Sequence, residues 1–474
     1  MATKTYTGSA TQQTDRWTGT VAAVWAAGDV ANVTINGRIL AVTIGTLTTT
    51  AQVATTIKEA FQSTTFTDTT ATCLPVGGGT SIPEMSDITA SISVGSTSVV
   101  NFTADGVGEH TLSMTETTAG TGTFTSAHSI SGTGPNYYNA TANWDTGTIP
   151  VAADDVVIDR PVSILYGTLD QSAVTVTSLT IGEKFTSAAY IGLPARNTLG
   201  YEEYRQARLK IGSTTTSIYG TSGRIRLDNA AIQTALTQYG AATLDWIGTH
   251  ASNAIKIFAG TAYLAAYRGE VCTILTLTQT GGTVECGSGA TLGTIIKDAG
   301  TLTINSSVTT SLTSLTGTTT INGGTQTLTV MGAGTLAVNN ATILTTLRMA
   351  SGTATIASTC GAWTTIDKSG GTLTIGVGGT TLTSDSGITR LNAGAVTTAN
   401  ISSGTLYLAG TGTITACNAK NCTINVDNGT TAGITITTLT CVGEVLIIDT
   451  AGRLTVTNAP TAYNGTITYT PAGA

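Results

Sequence analysis

A five-residue pattern, Gly-Thr-Leu-Thr-Ile with variants, recurs along the second half of the chain. Nine copies follow one another at a mean spacing near 17 residues, beginning at Gly282, Gly300, Gly317, Gly334, Gly352, Gly371, Gly387, Gly404 and Lys420. The third and fifth positions of each copy are almost always apolar, whereas the second and fourth are mostly Thr. Alternation with a period of two is typical of a β-strand that buries one face.

A period near 17 residues is too short for the usual helix-containing repeats and fits one coil of a parallel β-helix. Stacked coils, spaced by roughly 4.8 Å, place apolar residues in inward columns and β-branched Thr in outward ladders. Cys286 and Cys422 fall on inward positions and are predicted to fill the core. The segments Asn322-Gly323-Gly324 and Asn339-Asn340 are predicted to form corners that require positive φ.

Apolar pairs of the same kind occur earlier in the chain at irregular spacing. They are Leu179/Ile181, Leu209/Ile211, Ile225/Leu227, Ile255/Ile257 and Ala262/Leu264. The irregular spacing predicts wide β-helix coils with insertions over residues 136–280. Regular coils and a C-terminal cap are then expected over residues 281–474.

Residues 1–135 lack the repeat and are predicted to form a small β-rich or α+β docking domain. Apolar runs at 31–35 and 39–44 flank Asn36-Gly37, a dipeptide typical of a two-residue hairpin turn. A helix near 50–62 is predicted from a Thr-rich cap and from apolar residues at helical spacing, namely Val53, Ile57, Ala60 and Phe61. Two more strands are expected at 88–94 and 98–103. The fold class is therefore all-β, a parallel β-helix preceded by this domain.

Two segments carry a family resemblance. The hairpin and helix at 31–62 resemble modules of phage tail and other virion structural proteins. The segment from Asn143-Trp144-Asp145 to Asp154-Asp155-Val156-Val157-Ile158 resembles the entry to β-helical repeats in phage and bacterial surface proteins. The resemblance implies a virion structural protein, either a capsid decoration or head-fibre protein or a tail fibre or spike. It also implies a homotrimer, and it transfers no catalytic residue.

Composition narrows the function further. Charged residues make up 10% of the chain, the net charge is −7 and the pI is about 5.0. No cluster of Lys and Arg could follow a phosphate backbone, so nucleic-acid binding is not expected. No apolar run is long enough to span a membrane and the N-terminus lacks an apolar signal core, so synthesis in a host cytoplasm is expected. Because the seven cysteines are odd in number and have no CxxC spacing, neither a disulfide framework nor a zinc site is expected.

The sequence predicts a protein that is not an enzyme and that has no cofactor or metal. Glycoside hydrolysis needs two carboxylates in one groove, usually with aromatic side chains that hold the sugar. The regular coils carry few acids, most of them a coil or more apart, and Trp363 is their single Trp. Asp154, Asp155 and Asp159 offer clustered oxygens for calcium, but capping of the first coil is the favoured interpretation.

One charged and aromatic patch on the wide coils is a candidate binding site. It comprises Tyr201, Glu202, Tyr204, Arg205, Arg208, Arg224 and Arg226. One interpretation is a patch that binds a host surface glycan or a partner protein. The favoured one is an exposed insertion with outward charge ladders, in which Glu202 and Glu203 neutralise the arginines of neighbouring coils.

The pattern and the resemblance together predict a non-enzymatic phage virion protein on the particle exterior. The N-terminal domain would dock on a virion protein such as the major capsid protein, and the β-helix would project outward. One alternative is a tail fibre or tailspike that binds or cleaves host surface glycans. A further alternative is a secreted adhesin or ice-binding solenoid, although Glu285, Ala337, Arg390 and Tyr407 interrupt the outward Thr ladder.

Overall fold

A long parallel β-solenoid makes up most of the chain. The computed structural model describes residues 2–62, 65–194, 207–392, 394–426 and 433–471. The protein is all-β, with 52% strand and 4% helix. A parallel solenoid of about 14 turns covers residues 209–469, and an N-terminal β domain precedes it. The predicted fold class is confirmed.

Among the described residues, the N-terminal domain consists of two antiparallel sheets and one α-helix. The bounds from the N-terminus are β1 Thr3–Thr5, β2 Arg16–Ala22, β3 Val30–Ile35, β4 Arg38–Thr43, α1 Thr50–Gln62, β5 Thr72–Leu74, β6 Ile88–Ser93, β7 Ser96–Ala104, β8 Leu112–Thr117 and β9 Thr123–Ile130. Short 3-10 helices cover Gly78–Ser81 and Thr141–Asn143. The sheets have the strand orders β6-β7-β2-β9 and β5-β4-β3-β8, and α1 shares one apolar core with them.

The predicted hairpin and helix of this domain are confirmed. Ile35 lies opposite Arg38 in the β3–β4 pair, so Asn36 and Gly37 form a two-residue turn with φ of 51° and 80°. All four apolar residues predicted for the helix face are buried in α1. Thr49 caps the helix, since its N–H donates to Gln52 Oε1 at 3.1 Å and its Oγ1 accepts from the Gln52 N–H at 3.4 Å. Within the described ranges, no helix has the length and apolar character needed to cross a membrane.

Each solenoid coil carries a strand of a short-strand ladder and a strand of a long-strand ladder. The short-strand ladder holds β12 Tyr190–Ile191, β14 Arg224–Asp228, β16 Thr243–Ile247, β18 Thr261–Leu264, β20 Thr283–Cys286, β22 Thr301–Ile304, β24 Thr318–Ile321, β26 Thr335–Val338, β28 Thr353–Ile356, β30 Thr372–Ile375, β32 Ile388–Leu391, β34 Thr405–Leu408, β36 Thr423–Val426, β38 Val445–Asp449 and β41 Ile467–Pro471. The long-strand ladder holds β10 Asp155–Ile158, β11 Asp170–Ile181, β13 Leu209–Ile218, β15 Ala235–Gln238, β17 Ala254–Ile257, β19 Cys272–Gln279, β21 Ala290–Lys297, β23 Val308–Ser314, β25 Thr325–Met331, β27 Ile343–Met349, β29 Trp363–Lys368, β31 Gly379–Ser384, β33 Val396–Ile401, β35 Thr413–Lys420, β37 Ile434–Val442, β39 Leu454–Val456 and β40 Thr461–Tyr463.

The repeated pattern of the sequence forms the short-strand ladder. Its inward residues, including Leu302, Leu336 and Leu373, are buried in one continuous core. Successive short strands from β14 to β36 pair residue for residue, whereas the long strands absorb the changes in coil length through register shifts. The last predicted copy was placed two residues too early, because Ile424 and Val426 pair with the preceding inward residues. Cys286 and Cys422 are buried, as predicted for core residues.

The glycine that opens each repeat forms a column of its own. From Gly282 to Gly404 these glycines have φ between +67° and +87°. A Cβ on Gly352 would lie 2.5 Å from the carbonyl oxygen of Gly334 in the preceding coil. The position therefore needs glycine both for the left-handed backbone and for the close stacking of coils.

The corners that follow the short strands are built differently from the prediction. Gly324 has a φ of +71°, as expected, but Asn322 and Asn339 are not among the residues with positive φ. Instead the Asn339 amide donates to Asn322 Oδ1 at 2.9 Å, and the Asn322 amide donates to Asn305 Oδ1 at 3.1 Å. These asparagines thus stabilise the stacking of coils through a ladder of side-chain amides.

The first three-residue strand joins the solenoid and not the N-terminal domain. β1 pairs in parallel with β10, with Lys4 opposite Val156, and Tyr6 lies in the solenoid core. The N-terminal domain is therefore an insertion between the first two solenoid strands. The predicted assignment of residues 1–135 to one domain is wrong for this first strand, since three residues carry too little pattern to reveal a partner 152 positions away.

A buried asparagine holds together the two chain segments that connect the first coil to the inserted domain. The Asn143 amide donates to the Gly134 and Tyr137 carbonyls, both at 2.8 Å, and to Tyr6 Oη at 3.2 Å. Its Oδ1 accepts the Ala10 N–H at 2.7 Å. All of its side-chain hydrogen-bonding groups are thus satisfied within the protein. These bonds hold in place the two segments by which the chain leaves the first coil and returns to it.

The acids near the first coil act as caps. Asp154 accepts the N–H groups of Ala2 and Val151, both at 3.1 Å, and the Val151 bond lowers the pKa of the carboxyl. Asp159 accepts the Lys184 N–H at 2.9 Å. The favoured interpretation of these residues as caps of the first coil agrees with this geometry.

Candidate functional site

The arginines of the predicted patch are buried where they are described. Arg208 is 6% exposed and Arg226 is 5% exposed, and Arg224 is partly buried. Tyr201, Glu202, Tyr204 and Arg205 lie outside the described residues. The favoured interpretation of an exposed charge ladder is therefore wrong for Arg208 and Arg226. Their guanidinium groups are covered by Asp245 and Glu270, and that of Arg226 also lies over the Tyr267 ring.

A buried ion network holds the two arginines. Asp245, which is 2% exposed, accepts from Arg208 Nη2 through Oδ1 and from Arg226 Nε through Oδ2, both at 2.6 Å. Glu270 Oε1 contacts Arg208 Nη2 and lies 3.7 Å from Arg226 Nη2. Two guanidinium groups thus face two carboxylates, so the network is balanced in charge.

The described carboxylate partners of these arginines, Asp245 and Glu270, come later in the chain. The prediction assigned Glu202 and Glu203 as counter-ions, and both lie outside the described residues. Arg226 pairs with Asp245 in register across the β14–β16 ladder, so an aligned repeat would have placed the two side chains together. This pair was not predicted, because the repeat copy at Leu244 and Trp246 was not identified from the sequence.

The arginines also bind the backbone next to the segment 195–206. Arg224 Nη2 donates to the Gly192 carbonyl and Arg226 Nη1 donates to the Leu193 carbonyl, both at 3.0 Å. The Arg224 guanidinium lies 5.1 Å from the Tyr190 ring centre, an exposed cation–π contact. Burial and the neighbouring Arg226 lower the pKa of Arg224. These contacts fix the described backbone that leads into the segment with the remaining patch residues.

A row of exposed aromatic side chains lies on three consecutive wide coils. Tyr219 and Tyr239 stack with ring centres 4.8 Å apart and planes 5° apart, and Phe258 continues the row at 5.2 Å and 11°. Their exposed fractions are between 38% and 45%. We call these three residues the aromatic stack. The sequence analysis did not identify it, although each ring directly follows the last residue of a long strand.

Polar side chains occupy one column inside the solenoid core. Six of the long strands end there in Gln238, Gln279, Lys297, Ser314, Lys368 and Ser384, whereas the same column is apolar at Ile257, Met331 and Met349. Gln279 Nε2 donates to the Thr301 carbonyl at 3.0 Å, and Lys368 Nζ donates to the Ser386 carbonyl and to Ser384 Oγ. These donors satisfy carbonyl groups of the corner before each short strand. Burial lowers the pKa of Lys297 and lowers that of Lys368 to about 8.

The free energy of unfolding of the wild type is expected to rise between pH 8 and 10.5, and Lys368→Met is expected to lack this rise. Met suits the position because the same column already carries Met331 and Met349. The folded ammonium loses its proton near pH 8, whereas the unfolded chain keeps it up to the ordinary pKa of 10.5. The unfolded state therefore binds more protons in this window, and the free energy of unfolding rises with pH by about 3 kcal/mol. Urea denaturation across this pH range measures the difference between variant and wild type.

Lys256→Met provides the matched control, because it removes an exposed lysine from the same ladder. Its stability curve should run parallel to that of the wild type. Parallel curves for Lys368→Met and the wild type would contradict the buried, desolvated state of Lys368.

The seven cysteines are free thiols, and six of them are buried. Burial raises the pKa of Cys272 and Cys417 to about 12 and that of Cys422 to about 11. Such thiols stay protonated near neutral pH and are poor nucleophiles. In the described ranges, no group of three His, Cys, Asp or Glu side chains is arranged to hold a metal ion.

The fold defines a β-solenoid repeat protein that carries an inserted β domain. Comparisons with models of protein families, with curated proteins and with solved structures find no match for the chain. Its function is therefore inferred from the architecture and from the described side chains.

Proposed function

We propose that the protein is a non-enzymatic structural protein of the phage virion exterior, of the capsid decoration or head-fibre type. The inserted N-terminal domain docks on the major capsid protein, and the solenoid projects from the particle surface as a homotrimer assembled in the host cytoplasm. The observation that carries the proposal is the insertion of a separate β domain into the first coil of a long solenoid, through two connections that are paired at Gln13 and Thr133 and held by Asn143.

The construction of the solenoid supports a mechanical role. About 14 turns at a spacing of roughly 4.8 Å give a rod about 65 Å long. Every turn is paired in parallel on two ladders, and the apolar core runs without a break from Tyr6 to Ile447. Such dense pairing gives stiffness without disulfides, which suits a part exposed on a particle.

Excision of residues 14–132 is expected to abolish binding to the particle while leaving the solenoid folded. Gln13 and Thr133 are joined by two backbone hydrogen bonds of 2.8 and 2.9 Å, so a short Gly-containing linker can replace the domain. This design keeps β1, Tyr6 and Asn143, which a simple truncation of residues 1–135 would partly remove. Co-sedimentation with particles of the encoding phage measures binding, and far-UV circular dichroism reports the β-fold.

The full-length chain is the control for this experiment, and sedimentation of both proteins tests the trimer of 47.9 kDa subunits. An excised protein that still coats particles would contradict the docking role of the domain. Immunogold electron microscopy of intact particles separates the capsid from the tail. Label confined to the tail would favour the tail-fibre or tailspike alternative.

A further inference from the structure

The aromatic stack ends at Tyr219, because the corresponding residue of the preceding coil is a glycine, Gly182. The same place on four successive coils is occupied by Gly182, Tyr219, Tyr239 and Phe258. The N–H of each residue bonds to the carbonyl of the last residue in the preceding long strand. Tyr239 covers one face of the Tyr219 ring. On the other side of Tyr219 the corresponding residue is Gly182, and no aromatic ring of the described chain continues the row there.

A cavity of about 340 Å³ occupies this place. Tyr219 lines it together with the charged residues Asp159, Glu183 and Lys184 and with Val157, Thr180 and Gly182. Its volume lies at the lower end of the range of small-molecule sites, which suits a single ring-sized unit. The cavity thus offers one flat apolar surface and three charged side chains at its edge.

The carboxylate of Asp159 has a defined position in this cavity. Asp159 Oδ1 accepts the Lys184 N–H at 2.9 Å, and Oδ2 lies 3.6 Å from Lys184 Nζ. A Cβ at residue 182 would lie only 2.1 Å from Asp159 Oδ1, so glycine is needed for this close approach. The site is therefore organised before any ligand arrives.

We propose that this cavity binds a saccharide unit whose ring stacks on Tyr219. A sugar ring presents an apolar C–H face to an aromatic surface, while its hydroxyl groups bond to carboxylates and to an ammonium at the ring edge. Asp159 and Glu183 accept hydrogen bonds from hydroxyl groups, and Lys184 donates to a hydroxyl or ring oxygen. A phosphorylated ligand such as a nucleotide is disfavoured by the two carboxylates and by the net charge of −7.

The aromatic residues below Tyr219 have a positioning role. Tyr239 and Phe258 support the Tyr219 ring from the side opposite the cavity, with ring planes within 11° of one another. They hold the binding face in one orientation, which reduces the entropy that the complex loses on binding.

Binding to a printed array of bacterial surface oligosaccharides and polysaccharides tests the proposal, with titration calorimetry on the best oligosaccharide. Tyr219→Ala is expected to weaken binding roughly tenfold or more, because it removes the stacking surface. Tyr219→Phe keeps the ring and should retain affinity within about threefold. Tyr463→Ala removes a more exposed tyrosine, which lies outside the cavity, and should bind like the wild type.

Absence of binding across the array by the folded wild-type protein would overturn the proposal. So would unchanged affinity of Tyr219→Ala, or an equal loss in Tyr463→Ala. The site does not depend on the inserted domain, so the outcome is independent of the particle-docking experiment. A protein that docks on particles and ignores every glycan would refute the saccharide site alone.

Discussion

Replacing Gly352 with Ala is expected to destabilise the solenoid by about 2 to 5 kcal/mol. The left-handed backbone at this position, with φ of +84°, costs an alanine about 1–2 kcal/mol. The added Cβ would also lie 2.5 Å from the Gly334 carbonyl oxygen, and crowding of this kind costs a further 1–3 kcal/mol, roughly. Thermal and urea denaturation followed by circular dichroism measure the loss.

Gly269→Ala is the control that separates the two costs. Gly269 has nearly the same φ, +81°, but a Cβ there would meet no atom within 4 Å. Its replacement is expected to cost only the conformational part, about 1–2 kcal/mol. Equal losses in the two variants would contradict the stacking of the glycine column as the reason for the repeated glycine.

Replacing Asp245 with Asn is expected to destabilise the wide coils by about 3 to 5 kcal/mol. The change keeps the shape of the side chain but removes the carboxylate that bonds to both buried arginines, Arg208 and Arg226. Breaking one side of a buried ion pair costs this much because the other charge stays desolvated. Limited proteolysis of the wide coils and urea denaturation measure the effect.

Asp367→Asn supplies the matched comparison on the regular coils. Asp367 lies 3.9 Å from Arg348 on an exposed surface, where an ion pair contributes less than about 1 kcal/mol. A loss in Asp245→Asn no larger than the loss in Asp367→Asn would show that the network carries little of the stability of the wide coils.

The two parts of the solenoid differ in what their outward faces can do. The regular coils present Thr columns in register, such as Thr301, Thr318 and Thr335. The wide coils carry the ion network, the aromatic stack and the cavity beside Tyr219. A uniform rod with a decorated base is consistent with a protein whose shaft provides length and whose wide coils provide recognition.

Several features were predicted from sequence because they depend on local order. The inward positions of Leu302, Leu336 and Leu373 follow from alternation within five residues, and the Asn36-Gly37 turn follows from its dipeptide. The helix face at Val53 and Ile57 follows from spacing within one element. In each case the decisive neighbours lie within a few positions of the chain.

Other features depended on contacts between distant residues. The pairing of β1 with β10 joins residues more than 150 positions apart, and the Arg208–Asp245 pair spans 37 positions. Whether an outward arginine is exposed or covered depends on the loops that fold over it, which the strand pattern does not encode. For the same reason, the sequence alone could not reveal the aromatic stack as one surface.

The amino-acid sequence by itself determined that the chain forms stacked strands with a Thr-clad exterior and an apolar interior. A period of two sets the buried face of a strand, and a period near 17 residues sets the coil. Only the tertiary structure decided that β1 closes the first coil, that Arg208 and Arg226 are buried, and that Tyr219 faces an open cavity. These features arise where coils and insertions meet in space, and their relative positions depend on the register of whole coils.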